Sequence, residues 1–239
     1  MGTIEFPDRK GSAKFSAVAF DLDGTLYPDL HLFVKLIPFL IKNHRLLHVM
    51  GTVRDRLRTS HNYQAGIDFY DLQASLMAEL LGKTAATTKE ETERLIYRGW
   101  ELYFKRIKLF PHLRETLDAF RHAGIPLGLL SDFPPDAKLA NMKLSQYWDV
   151  TLSSEQTGRL KPDPLPFLEL ARQMKQRPCD MLYVGNNVRY DVEGALSAGM
   201  KAALILPAWR PSPSALRHKQ NEQVFVFRGY RQLRNYVLQ

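Results

Sequence analysis

Phe15-Ser16-Ala17-Val18-Ala19-Phe20-Asp21-Leu22-Asp23-Gly24-Thr25 is the stretch on which the reading of this chain turns. From Phe15 to Asp21 the residues are mostly apolar and rich enough in β-formers for a buried strand. The strand ends on two carboxylates at i and i+2, which fall on the same side of an extended chain. Like charges this close are costly unless a proton or a cation relieves them. Mg²⁺ does so readily, because it takes oxygen ligands and keeps some of its waters. Gly24 lets the backbone turn sharply and approach a ligand. A plain Asp-Gly turn explains the dipeptide alone. The strand before it and Thr25-Leu26-Tyr27 after it favour a site.

Further along, the segment from Leu30 to Lys108 reads as helical, with apolar residues such as Phe33, Leu36, Ile37 and Leu40 at three- and four-residue spacings. From Pro111 the pattern changes. A helix starts near Pro111 and runs through Leu113, Leu117 and Phe120 to Gly124. Strands follow at 126–130, 150–153, 181–184 and 202–206, with 224–227 as an edge strand. Helices lie between them at 136–147, 164–175 and 192–198. Short apolar strands alternating with helices predict an α/β fold: a three-layer αβα Rossmann-like core with a parallel sheet. The helical segment is too long for a crossover. It reads as an inserted α-helical cap at 30–108, with the core at 1–29 and 109–239.

Open parallel sheets bind ligands beyond the carboxyl ends of their strands. Ser131, in Leu130-Ser131-Asp132, can donate to a phosphate oxygen there. Lys161, in Leu160-Lys161-Pro162, can neutralise a phosphoryl group and a nucleophile together. Gly185-Asn186-Asn187 through Asp191 offers an amide oxygen and a carboxylate to a metal, or an Asn-rich turn that caps a helix. Each signal is modest alone. Together they place polar groups after successive strands, in an order that lets them converge.

This set resembles the four motifs of the haloacid dehalogenase-like hydrolase superfamily. The long helical insertion resembles the cap of its phosphoglycolate phosphatase-like members. The likeness spans Phe15 to about Pro207. It implies Asp21 as nucleophile, forming an aspartyl-phosphate, and Asp23 as the acid and base. It further implies phosphate binding by Ser131, Asp132 and Lys161. It implies Mg²⁺ held by Asp21, Asp23 through its carbonyl, Asn186 and Asp191. The expected substrate is a small phosphorylated metabolite. Asn186 departs from the usual Asp, which removes one negative charge and predicts weaker metal binding. That departure also leaves room for a non-catalytic binding protein. Dehalogenases of the superfamily lack an acid at the position of Asp23, so phosphate chemistry is expected rather than halide release.

Composition bounds the remainder. The chain has 239 residues, 45% apolar and 24% charged, which suits one core domain with an insertion. A single cysteine, Cys179, excludes an internal disulfide and is expected to be a structural thiol in a reducing, cytoplasmic setting. The longest apolar stretch, Leu32 to Ile41, is interrupted by Lys35 and too short to cross a bilayer. A net charge of +8 favours anionic partners. Lys42, Arg45, Arg54, Arg56 and Arg58, with Arg228, Arg231, Arg234, Tyr230 and Tyr236, raise a nucleic-acid reading. Attraction of an anionic substrate explains the cap charges better. His31 and the basic cap residues are candidates for leaving-group selection. Gly82-Lys83-Thr84 lacks the earlier glycine of a P-loop, since Met77 stands there. Oligomeric state is not read from the sequence.

Overall fold

The computed structural model describes residues 14–59, 68–99, 101–105, 107–206 and 223–239. Its strands are β1 (Ala17–Phe20), β2 (Leu127–Ser131), β3 (Val150–Ser153), β4 (Met181–Gly185), β5 (Lys201–Ile205) and β6 (Val224–Phe227). They form one sheet in the order β3-β2-β1-β4-β5-β6, and every pairing is parallel. The expected edge strand is the edge.

Alternation along each strand sorts side chains onto two faces. Val18, Phe20, Leu127, Leu129, Leu182 and Val184 face one cluster. There α6 (Leu113–His122) contributes Leu113, Leu117 and Phe120, and α10 (Tyr230–Leu238) contributes Leu233 and Val237. Ala17, Ala19, Leu130, Met181 and Tyr183 face the other. It is covered by α8 (Pro164–Gln173), through Phe167 and Leu170, and by α9 (Glu193–Ser197), through Ala195. The three-layer αβα expectation is met.

Between β1 and β2 lie α1 (Asp29–Lys42), α2 (His44–Thr59), α3 (Phe69–Leu81), α4 (Ala85–Thr92), a π-turn at Glu93–Tyr97 and α5 (Glu101–Phe104). Leu46, Val53, Phe69, Met77 and Ile96 bury against one another in a third cluster, joined by Leu160 of the core. Leu36 of α1 and Phe104 of α5 pack instead into the first sheet-side cluster. Gly82 is the left-handed residue that ends α3, and Thr84 caps α4 by accepting from the Thr87 N–H. That tripeptide is a helix-to-helix turn.

Three local expectations need correction. The helix near Pro111 starts at Leu113, after a left-handed His112, because the Phe110 N–H is tied to the Leu26 carbonyl at 3.0 Å. The expected helix at 136–147 breaks. α7 spans only Asp136–Asn141, Lys143 turns left-handed at φ 54, and the Leu144 N–H bonds back to the Leu139 carbonyl at 2.9 Å. That turn buries Leu144. Cys179, expected as a structural thiol, is exposed on the short turn Pro178–Asp180. The side chain of His31 falls outside the described residues.

Candidate active site

Strand order places the site. β1 sits between β2 and β4, so the chain leaves it towards one edge and later returns to its other side. A crevice opens beyond the strand ends where the order reverses in this way. Asp21 follows β1, Ser131 ends β2, and Gly185 ends β4. The Asp21 N–H donates to the Val184 carbonyl at 2.8 Å, which fixes the ends of β1 and β4 side by side.

Asp21 is 6% exposed. Its Oδ1 accepts from Lys161 Nζ at 2.7 Å and its Oδ2 from Thr25 Oγ1 at 2.8 Å. Lys161 Nζ also donates to Asp191 Oδ1 at 2.7 Å and to Tyr183 Oη at 3.3 Å. One ammonium therefore bridges two carboxylates in a buried site. Burial pushes the Asp21 carboxyl up to about 7, and Lys161 offsets this only in part while Asp191 and Asp23 add to it. Burial alone would lower Lys161, but Asp191 and Asp21 outweigh it and hold the ammonium well above its ordinary range.

Asp191 is positioned by a π-turn, Val188–Val192. Its Oδ2 accepts from the N–H groups of Asn186 at 3.1 Å and Asn187 at 3.0 Å, so the loop closes around the carboxylate. Gly185 is required here. A Cβ on it would stand 2.3 Å from Asp191 Cβ. Asn186 is half-buried at the end of β4.

Asp23 is held from both sides. Tyr27 Oη donates to its Oδ1, and Lys138 Nζ to its Oδ2 at 2.5 Å. Gly24, at φ 77, makes the turn that brings Tyr27 back alongside Asp23. Ser131 Oγ accepts from the Phe133 N–H at 3.3 Å.

The side chain of Asp132 is engaged within the protein. Its Oδ2 accepts from Arg58 Nη2 at 2.7 Å, and its Oδ1 from Ser154 Oγ at 2.6 Å and the Lys161 N–H at 3.2 Å. Burial would raise this carboxyl, but Lys161, Arg54 and Arg58 hold it at about 2. A carboxylate with both oxygens engaged ties α2 to the site loops.

Arg54 and Arg58 are likewise turned inward. Arg54 is buried, pairs with Glu155, donates to the Asp132 carbonyl at 3.2 Å and lies 4.1 Å from the Phe133 ring centre. Arg58 Nε donates to the Lys161 carbonyl at 3.0 Å. Neither is available to a nucleic-acid backbone. Tyr230 is buried with its hydroxyl donating to the Thr25 carbonyl at 2.6 Å, and Tyr236 stacks on Phe225 at 3.8 Å. Neither serves as a stacking platform.

Thr25 and Tyr27 stand beside the motif in the sequence, whereas Lys138 and Tyr183 carry no sequence signal. Lys138 is 115 residues from Asp23 in sequence, and no spacing rule links them. Tyr183 reads as one more apolar strand residue.

The strand-end carboxylates, the bridging lysine and the second, separately held carboxyl define a class: a hydrolase on a Rossmann-like sheet with an aspartate at its centre. A family model described as haloacid dehalogenase-like hydrolase matches residues 15–199, and the chain belongs to that family. Among curated proteins it is similar to phosphoglycolate phosphatases of Shigella dysenteriae and Escherichia coli K12. Each is 27% identical over 202 residues, covering 76% of this chain and 77% of the relative. Among solved structures it resembles a HAD phosphatase from Thermococcus onnurineus, with TM-score 0.57, 22% identity, and 92% and 96% of the two chains covered. It also resembles L-2-haloacid dehalogenase from Xanthobacter autotrophicus, with TM-score 0.63, 19% identity, and 93% and 98% covered. At these identities the structural likenesses speak for the fold.

Proposed function

We propose that this enzyme hydrolyses phosphate monoesters through an aspartyl-phosphate on Asp21. The observation that carries the reading is the pairing of two differently held carboxyls. Asp21 is buried on Lys161 and Thr25, whereas Asp23, two residues on, is 35% exposed on its side chain. One is poised as nucleophile and the other reaches the leaving group. In the first step an Asp21 oxygen attacks phosphorus, the ester P–O bond breaks, and Asp23 gives its proton to the departing oxygen. In the second, Asp23 takes a proton from water, which attacks phosphorus and frees phosphate and Asp21. Lys161 and Ser131 orient the phosphoryl group. The helical insertion at 30–108, which carries nearly all of α1–α5, serves as a cap over the core formed by 1–29 and 109–239.

The donor set fits Mg²⁺. Asp21, Asp23 and Asp191 face two ammonium groups among the described residues, Lys161 and Lys138, so a negative charge remains in a largely buried site. Among the described residues no three His, Cys, Asp or Glu side chains cluster as a metal cage. Mg²⁺ needs none, since one or two carboxylates with carbonyls and waters suffice. Asp21, the Asp23 carbonyl and Asn186 would hold it, with Asp191 supporting. When bound, it neutralises charge on the phosphoryl oxygens.

The substrate is a small phosphorylated metabolite, as the name of the phosphoglycolate phosphatase relatives also favours. A cytoplasmic setting accords with the single cysteine. Among the described residues no helix is long and apolar enough to cross a membrane. The dehalogenase reading is disfavoured by Asp23, because a departing halide needs no proton. Release of p-nitrophenol from p-nitrophenyl phosphate, with Mg²⁺, with EDTA and with Asp21→Asn, tests the proposal. Turnover only in the parent with Mg²⁺ supports it. Halide release from a 2-haloacid without phosphatase activity overturns it.

A further inference from the structure

Lys138 belongs to none of the motifs, yet it sits at the chemistry. It lies on α7, which begins a few residues after Ser131, and its side chain is 10% exposed. Its ammonium is 2.5 Å from Asp23 Oδ2, 5.1 Å from the ring centre of Phe104 and 5.5 Å from that of Phe133. Phe104 comes from the helical insertion and Phe133 from the core. With Ile96 and Tyr97 they line a crevice of about 30 Å³ against Lys138. Burying a lysine beside two rings is costly unless the ammonium has a partner. The partner here is one oxygen of Asp23, whose other oxygen takes the Tyr27 hydroxyl.

We infer that Lys138 is a positioning residue that, with Tyr27, aims the Asp23 carboxyl at the leaving oxygen and steadies the carboxylate left when its proton is given away. The inference rests on the phosphatase reading above and deepens it. Lys138 neither attacks phosphorus nor serves as the acid. Asp23 alone exchanges the proton with the leaving oxygen, while Lys138 and Tyr27 each hold one of its carboxyl oxygens in place.

The consequence is a dependence on leaving group. An alkyl alcohol must be protonated as it departs, whereas p-nitrophenolate leaves without a proton. Lys138→Met keeps the apolar stem and removes the charge. Kinetics with Mg²⁺ are measured on p-nitrophenyl phosphate and on 2-phosphoglycolate for the parent, Lys138→Met, Lys138→Arg and Tyr27→Phe. A positioned general acid contributes about 10²–10⁴ in rate. We expect kcat on the alkyl ester to fall by about tenfold or more beyond any fall on the aryl ester, with KM little changed and partial recovery in Lys138→Arg. Tyr27→Phe shows the same bias, smaller, and carries the test if Lys138→Met does not fold. Equal losses on both esters, or a change in KM alone, overturn the inference while leaving the phosphatase reading intact. A parent inactive on both esters overturns that reading itself, and the inference with it.

Discussion

At the scale of single residues, the site is a set of balanced, buried charges. Lys161 serves Asp21 and Asp191 at once, so its loss leaves two buried carboxylates facing each other. Lys161→Met should lower stability by about 3–5 kcal/mol, the cost of breaking a buried ion pair from one side. Urea unfolding reads this as a fall in midpoint. Asp132 gives a pH signature. Its folded value of about 2 lies below the ordinary 3.8, so it contributes stability above about pH 4 that is lost as pH falls towards 2. The shift corresponds to about 2 kcal/mol. Asp132→Asn should flatten that part of the acid-unfolding curve and be less stable at pH 7. At Asn186, restoring a carboxylate with Asn186→Asp should tighten Mg²⁺ binding, seen as a larger Mg²⁺-induced rise in melting temperature. No gain in that rise would contradict the weaker metal site expected of the amide.

At the scale of elements, α2 joins the helical insertion to the core. Arg54 and Arg58 are one helical turn apart, so both fall on the face towards Asp132, Glu155 and Lys161. A double-mutant cycle on Arg58 and Asp132 should give a coupling of about 1 kcal/mol or more, since both side chains are largely buried. A coupling near zero would make their contact incidental. The sheet itself was legible residue by residue. Ala17-Val18-Ala19-Phe20 is apolar throughout because both of its faces are covered, and its carboxyl end announced the site. The π-turn at 188–192 and the break after Asn141 were not legible. Both are set by tertiary needs, the closure of backbone N–H groups on Asp191 and the burial of Leu144. The same limit hid the fate of Arg54 and Arg58. In sequence they are two more basic residues on a basic helix, and only the fold reveals which side they take.

At the scale of the whole molecule, the two clusters flanking the sheet give the site a rigid floor. The third, in the helical insertion, reaches the core through Leu160, next to Lys161. The net charge of +8 then acts at long range. Exposed Lys42, Arg45 and Arg56 stay on the surface, whereas Arg54 and Arg58 are consumed in ion pairs. If the surface charge steers an anionic ester, kcat/KM should fall several-fold between low and high salt while kcat changes little. A salt-independent kcat/KM would mean that encounter is not steered.

The central claim is that Asp21 carries the phosphoryl group, and trapping tests it most directly. The enzyme is quenched during turnover of 2-phosphoglycolate with Mg²⁺, reduced with borohydride, and digested for peptide mass analysis. The account predicts homoserine in place of aspartate at position 21, in the peptide that carries Phe20-Asp21-Leu22, and none in the absence of substrate. Continued turnover with Asp21 unmodified, or the mark on another carboxylate, would contradict it.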